Sequence, residues 1–128
     1  MKMNPHKFKA VLALPAPERY SHFIKVAANG SRVWGLYEDG WALMGTNSGQ
    51  EVLPVWPAGE YAALYATDDW AGHKPRAIPI DEFLHDLLPS LREAGRVIAV
   101  FPVPGQGGVV PDLDVVEADL KHELSRIE

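Results

Sequence analysis

Apolar residues recur at helical spacing through the first thirty residues of the chain. The segment NPHKFKAVLAL predicts a helix with Asn4 as its N-cap and Pro5 at its first helical position, a preferred pairing. After two further prolines, ERYSHFIKVAA places its apolar residues on one face of a second helix. The pair Asn29-Gly30 predicts the end of this helix.

The period changes at Arg32, where two segments rich in aromatic and branched residues, RVWGLYE and WALMG, follow each other. Asp39-Gly40 lies between them and predicts a β-hairpin, because tight hairpin turns need positive φ at their central positions. QEVLPVW then predicts a third strand, which completes an antiparallel meander. Proline cannot donate to a β-ladder, so Pro54 favours an edge position or an early end for this strand.

The second half of the chain alternates helical and strand-like segments. PAGEYAALYA predicts a short helix that begins at Pro57. A strand at RAIPI follows, then a helix at DEFLHDLLPSLREAG that Gly95 closes, and then an apolar strand at RVIAVFPV. Tight links between these three favour a right-handed parallel crossover, and a final helix occupies PDLDVVEADLKHELSRI. The sequence therefore predicts one α+β domain over residues 1–128. Its three-stranded antiparallel meander is extended by a βαβ unit into a mixed sheet flanked by helices.

Composition narrows the classes of partner and compartment. The chain has 128 residues and no cysteine, which excludes disulfides and thiolate zinc sites and suits the reducing cytoplasm. Its apolar segments are too short or too interrupted for a signal peptide or a membrane span. The net charge is −5, distributed as +5 over residues 1–32 and −10 over residues 33–128. This acidic body argues against binding to nucleic acid. Two interpretations of the charge stay open: the basic N-terminal helices pack near the acidic remainder of the chain, or an acidic surface meets a basic partner.

Two acid-x-x-His segments, Glu82 to His85 and Asp119 to His122, raise the question of a metal centre. Such segments on two helices hold di-metal sites in ferritin-like proteins. Helical-wheel geometry places both histidines away from the apolar stripes of their helices, so we expect no metal site. PGQGGVV does not match a dinucleotide fingerprint, since Val110 stands at the third glycine position, and no nucleophile motif is present. We therefore expect no catalytic residue and no cofactor.

Aromatic residues are concentrated in the middle of the chain, where all four tryptophans and three of the four tyrosines lie between residues 34 and 70. Both faces of the predicted strands carry apolar residues, so most of these rings are expected in the core. Trp56 and Trp70, at the ends of predicted elements, are the rings best placed to line an exposed groove. The candidate binding surface comprises Trp56, Glu60, Tyr61, Trp70 and His73.

Five segments together resemble a known family: RYSHFIKVA, VWGLYEDGWAL, VLPVWPAGEYA, IPIDEFLHDLLPSL and VIAVFPVPGQGGVV. In this order, from about Arg19 to Leu124, they are similar to the bacterial Domain of Unknown Function 2750 family. Residues 1–18, which hold the N-terminal helix, lie outside the resemblance. It implies a small, stand-alone cytoplasmic bacterial protein of unassigned activity and brings no site residues. A weaker likeness, carried by the hairpin, LPVWPAGEYA and the βα unit, is to the N-terminal domain of SseB-type proteins.

The sequence leaves several functions open. We favour a non-enzymatic protein-interaction module that contacts an unknown protein partner, not nucleic acid or a membrane, through its acidic surface and the aromatic edge near Trp56, Tyr61 and Trp70. Immunity-type neutralisation of a basic toxin is one concrete version. The alternative is a small enzyme or ligand-binding protein with a pocket at the C-terminal ends of the parallel strands, near Pro102–Gly108. The protein is expected to be a monomer or a homodimer, the latter through the edge strand that carries Pro54.

Overall fold

The computed structural model describes residues 4–45, 49–105 and 107–127. The strands are β1 to β5 in chain order: Arg32–Tyr37, Met44–Gly45, Glu51–Val55, Lys74–Pro79 and Val97–Val100. The first three helices are α1, α2 and α3: Pro5–Leu12, Ala16–Gly30 and Gly59–Ala63. A short 3₁₀ turn, Asp68–Trp70, precedes β4. The split helix covers residues 80–94, and the C-terminal helix is Leu113–Ile127.

The two N-terminal helices form as the sequence predicts. The side-chain oxygen of Asn4 caps α1 by accepting hydrogen bonds from the backbone N–H groups of His6 at 2.8 Å and Lys7 at 3.3 Å. Gly30 is the last residue of α2, and Ser31 ends the helix in a left-handed conformation with φ of 58°. Local capping chemistry thus accounts for the start of α1 and the end of α2.

Two small sheets are joined at a pair of tryptophans. β1 pairs antiparallel with β4, while β3 lies between β2, which is antiparallel to it, and β5, which is parallel to it. Reciprocal backbone hydrogen bonds of 2.8 and 2.9 Å connect Trp34 and Trp56 across the two sheets. The predicted α+β class, with antiparallel and parallel pairing flanked by helices, is confirmed.

The strand pairings differ from the predicted meander in two places. The Asp39-Gly40 hairpin forms, but its return strand is reduced to one bridge between Tyr37 and Trp41, and β1 forms its ladder with β4 instead. The parallel crossover joins β3 to β5, so β5 is not the partner of β4. Strand pairing is decided by packing between distant segments, which local patterns do not encode.

Pro54 lies in the central strand of its sheet and not at an edge, which corrects the prediction. The ladder between β2 and β3 ends at Val52, and the carbonyl of Val55 faces β5, where it accepts the N–H of Phe101 at 2.8 Å. Backbone groups alternate sides along a strand, so Pro54 lacks its donor on the side where the β2 ladder has already ended. The predicted route to a homodimer, through an edge at Pro54, is therefore wrong as well, because this strand has neighbours on both sides; the state itself, monomer or homodimer, stays a prediction.

β4 has a paired strand on one side only within the described ranges. Ile80, which follows β4 directly, donates its N–H to the carbonyl of Ser31 at 2.9 Å, so the even-numbered residues of β4 direct their backbone groups to β1. Pro75 and Pro79 therefore face the other way. They cost no ladder hydrogen bond, and they remove donors from the free edge, which protects it against strand addition.

The split helix contains a π-helical turn. Its α-helical start is Ile80–Glu82, its π turn is Phe83–Leu87 and its α-helical end is Leu88–Ala94. The N–H of Leu88 bonds to the carbonyl of Phe83, five residues earlier. Pro89 comes next. It has no N–H to donate to the carbonyl four residues before it, and in an α-helix its ring would clash with that carbonyl, so the wider π turn accommodates the proline.

The core lies between the sheets and the helices. Trp56, Phe83 and Phe101 are fully buried, and so are Val33 and Leu36, which point to opposite faces of β1. The prediction that both sheet faces are covered is therefore confirmed. In the described ranges, no helix has the length and apolar character to cross a membrane.

Candidate functional site

The fold divides the predicted binding surface. Trp56 and Tyr61 are only 0% and 2% exposed, which corrects this part of the prediction, since neither ring reaches a partner. Glu60 is exposed, whereas Trp70 and His73 are half-buried with ring centroids 6.4 Å apart. Nδ1 of His73 is buried and has no hydrogen-bond partner among the described residues. Binding at Glu60, Trp70 and His73 stays a prediction.

The loop after β5, where the alternative prediction placed a pocket, is held by side-chain donors. Nε1 of Trp56 donates to the carbonyl of Pro102 at 2.8 Å, and the hydroxyl of Tyr65 donates to the carbonyl of Val103 at 2.7 Å. Gly108 packs so closely on β5 that a Cβ there would lie 2.3 Å from a backbone oxygen of that strand. These contacts hold the loop against β5, Trp56 and Tyr65, and a pocket near Pro102–Gly108 stays a prediction.

Arg19 is a fully buried cation whose role the sequence analysis missed. Its Nε donates to the carbonyl of Phe101 at 3.1 Å, its Nη1 to that of Leu14 at 2.6 Å and its Nη2 to that of Gly107 at 2.9 Å. Phe101 itself has φ of 55°, a costly conformation for a bulky side chain. One guanidinium thus fixes the α1–α2 link and a strained strand end. The available signal was the position of Arg19, four residues before Phe23 on the apolar face of α2.

A groove runs between the β1–β4 sheet and the split helix. It consists of two adjoining chambers that share three lining residues: Trp41, Leu87 and Ser90. The polar chamber has a volume of about 320 Å³ and is further lined by Tyr37, Arg76, Ile78, Glu82 and Asp86. The apolar chamber has a volume of about 150 Å³ and is further lined by Leu43, Leu53, Leu91 and Arg96.

Strand register builds the aromatic wall of the polar chamber. Gly35 lies opposite Arg76 and Tyr37 opposite Lys74, so Gly35, Tyr37 and Arg76 share one face of the sheet. Gly35 leaves room for the indole of Trp41, because a Cβ at residue 35 would lie 3.0 Å from Cε3 of that ring. Trp41 meets Tyr37 edge-to-face with centroids 5.0 Å apart. The guanidinium of Arg76 lies 4.4 Å from the Tyr37 centroid, in a cation–π contact.

The facing wall supplies two exposed carboxylates from the split helix. Glu82 ends the first α-helical turn, and Asp86 belongs to the π turn. Among the described residues, neither carboxylate forms an ion pair, and Arg76 forms none either, although all three line the polar chamber. The cation of the apolar chamber is engaged, since Nη2 of Arg96 lies 2.7 Å from Oε1 of Glu51. The polar chamber therefore offers charges of both signs to a ligand.

The acid-x-x-His segments do not form a centre. His85 and His122 are exposed, as the helical-wheel geometry predicts. No three histidine or acidic side chains converge as metal ligands within residues 4–45, 49–105 and 107–127. Asp119 instead links two helices, because the hydroxyl of Tyr20 donates to its Oδ2 at 2.6 Å. Burial first, and then this carboxylate, raise the pKa of Tyr20 above its usual range.

The fold and the groove define an α+β protein with an open groove between a β-ladder and an interrupted helix. Residues 20–120 match the model of a family described as Protein of unknown function (DUF2750), and the chain belongs to this family. The predicted resemblance to that family is thereby confirmed. No curated protein matches the chain, and no solved structure matches it either. The weaker likeness to the N-terminal domain of SseB-type proteins stays a prediction.

Proposed function

We propose that this protein is a non-enzymatic interaction module that holds a segment of a basic protein partner in the groove. The observation that carries the proposal is the placement of the Tyr37–Trp41 aromatic pair opposite Glu82 and Asp86, two carboxylates without an ion pair among the described residues. Aromatic side chains are enriched among the residues that dominate binding energy. Carboxylates at the rim steer and select a partner of positive charge.

The charge of the whole chain supports a basic partner. The groove is built entirely from residues 33–128, the part of the sequence with a net charge of −10. The electrostatic field of this negative charge raises the rate of encounter with a cationic protein at low ionic strength. Neutralisation of a basic toxin by an immunity-type protein is one concrete version of this role. We place the protein in the cytoplasm of a bacterium, and the absence of cysteine fits the reducing conditions there.

A protein segment suits the groove better than a small molecule. Arg76, Glu82, Asp86 and Ser90 are all exposed, whereas small-molecule sites bury roughly 70–90% of the surface of their ligand. The polar chamber, at about 320 Å³, also lies near the lower limit of roughly 300–1,000 Å³ for such sites. A polypeptide that continues past both ends of the groove covers these rims and adds contacts there.

Selection of random displayed peptides tests the proposal. The targets are the wild-type chain, Trp41→Ala, and Trp70→Ala as a matched control, since both tryptophans are half-buried but Trp70 lines neither chamber. We expect peptides rich in Lys and Arg to be enriched on the wild type and on Trp70→Ala, but not on Trp41→Ala. No enrichment on the wild type contradicts the proposal. Loss of enrichment in Trp70→Ala alone also contradicts it, and moves the site to Glu60, Trp70 and His73.

A further inference from the structure

The apolar chamber accepts one uncharged side chain. Four leucines make up most of its lining, and the chamber has a volume of about 150 Å³; they are Leu43, Leu53, Leu87 and Leu91. The charge of Arg96 is already compensated by Glu51 at 2.7 Å. Burial of a polar group against such walls without a hydrogen bond is costly, whereas each buried methylene is favourable. An aliphatic side chain of the occupant is therefore the group that this chamber favours.

The charges of the polar chamber favour a cationic group of the occupant. Arg76 contributes one positive charge, Glu82 and Asp86 contribute two negative charges, and none of the three is ion-paired among the described residues. The contact with Tyr37 at 4.4 Å holds the guanidinium of Arg76 on the sheet side of the chamber. One lysine or arginine side chain from the occupant balances the remaining charge. Its aliphatic stem packs on the indole of Trp41 while its head reaches the two carboxylates.

The two adjoining chambers suit an extended segment. They share Trp41, Leu87 and Ser90 as lining residues, so neighbouring side chains on one side of a segment can enter both. In an extended strand, residues i and i+2 point to the same side at a separation of roughly 6.5–7 Å, whereas residue i+1 points away. An apolar residue and a basic residue with one residue between them therefore reach both chambers from one side of the chain.

We propose that the groove recognises an extended segment of the pattern apolar-x-Lys/Arg, in which Glu82 and Asp86 are the specificity-determining residues. The inference rests on the proposed function, because it names the chemistry of the segment that the groove holds. The apolar side chain enters the leucine-walled chamber, and the basic side chain crosses Trp41 towards the two carboxylates.

Three capped pentapeptides test the pattern against the full chain labelled with ¹⁵N. The first is Gly-Leu-Gly-Arg-Gly; the second replaces its arginine with glutamate, and the third replaces its leucine with serine. The signal of the Trp41 indole N–H, assigned by its loss in Trp41→Phe, reports binding. We expect the first peptide to shift this signal with an affinity that falls as salt is added. The other two peptides should bind at least fivefold more weakly.

A charge-neutralised variant and a matched control complete the experiment. Glu82→Gln/Asp86→Asn should lower the affinity for the arginine peptide by about five- to tenfold and remove the discrimination against glutamate. Asp81→Asn/Glu93→Gln changes two exposed acids of the same helix that line neither chamber, and it should leave both unchanged.

Two groups of results overturn the inference. No shift with the arginine peptide at about 10 mM, or tighter binding of free arginine or leucine than of the peptide, contradicts a segment of this pattern. Equal binding of the arginine and glutamate peptides, or discrimination that survives in Glu82→Gln/Asp86→Asn, contradicts the assigned specificity. The proposed function is judged separately by display selection, where enriched basic peptides of another pattern that still need Trp41 uphold it.

Discussion

Replacement of Arg19 by methionine and by lysine distinguishes hydrogen-bond geometry from charge as the feature that holds the loop after β5. Methionine retains much of the side-chain length and removes both the charge and the donors. Lysine retains the charge, but its compact ammonium replaces a planar fork of five N–H groups. Arg19 bonds the carbonyl of Leu14 in the α1–α2 link and those of Phe101 and Gly107 at the two ends of the loop after β5. We expect that one ammonium cannot bond all three.

The size of the effect follows from the burial of these bonds. A hydrogen bond from a charged donor contributes about 1.5–3 kcal/mol, and the bonds to Leu14 and Gly107 belong at the low end because they are only partly buried. Removal of a buried charge returns several kcal/mol of desolvation. We therefore expect Arg19→Met to lose about 3 kcal/mol of unfolding free energy, or about 10 °C in Tm for a chain of this length. Arg19→Lys should lose at least as much, because its charge stays buried with fewer acceptors.

Urea unfolding followed by circular dichroism measures these differences in unfolding free energy. Arg32→Met is the control, since this arginine is exposed at the start of β1, and its effect should stay within about 0.5 kcal/mol. A lysine variant as stable as the wild type would show that charge alone holds the loop. A methionine variant as stable as the wild type would show that the loop does not depend on residue 19. Either result refutes the reasoning.

Two further predictions concern ring packing and pH. Gly35→Ala displaces the indole of Trp41, so it should lower the free energy of unfolding in urea by roughly 1–3 kcal/mol and weaken peptide binding. The control is Gly59→Ala, where a Cβ meets the indole of Trp34 at 3.1 Å; it should cost a similar amount and leave binding intact. Full binding by Gly35→Ala contradicts the assigned groove. Burial first and the charge of Glu60 second raise the pKa of Tyr61 to about 12, above its unfolded value of about 10. The protonated Tyr61 therefore contributes its full stability below about pH 10, and this contribution is lost as the pH rises through about 12. The free energy of unfolding, measured across this pH range, should fall less steeply in Tyr61→Phe than in the wild type. An unchanged slope contradicts the contribution of Tyr61.

Features that depend on a few neighbouring residues could be predicted from the sequence. Asn4 caps α1 because its side chain reaches N–H groups two and three residues ahead. Asp39-Gly40 makes the hairpin turn because both residues adopt positive φ. The outward position of His85 follows from helical period alone. In each case the determining contacts lie within the segment that shows the pattern.

Most of the candidate site could not be predicted in this way. Its aromatic wall exists because the register of two distant strands sets Gly35 opposite Arg76, and because Gly35 leaves space for Trp41. Trp56, which the sequence analysis included in the candidate binding surface, is buried, and its indole N–H donates to the carbonyl of Pro102. Burial of a tryptophan is favourable once that donor is satisfied, and only the folded chain supplies the acceptor.

The sequence by itself determined the α+β class, the main helices, the acidic body and the family to which the chain belongs. Tertiary structure alone decided that β1 pairs with β4, that Pro54 is central, that Arg19 is buried and that Trp41 borders the groove. Periodicity, capping and turn chemistry act over a few residues and so are written in each segment. Strand pairing and burial depend on which distant segments bring matching surfaces and hydrogen-bond partners together, and that competition is settled only when the whole chain packs.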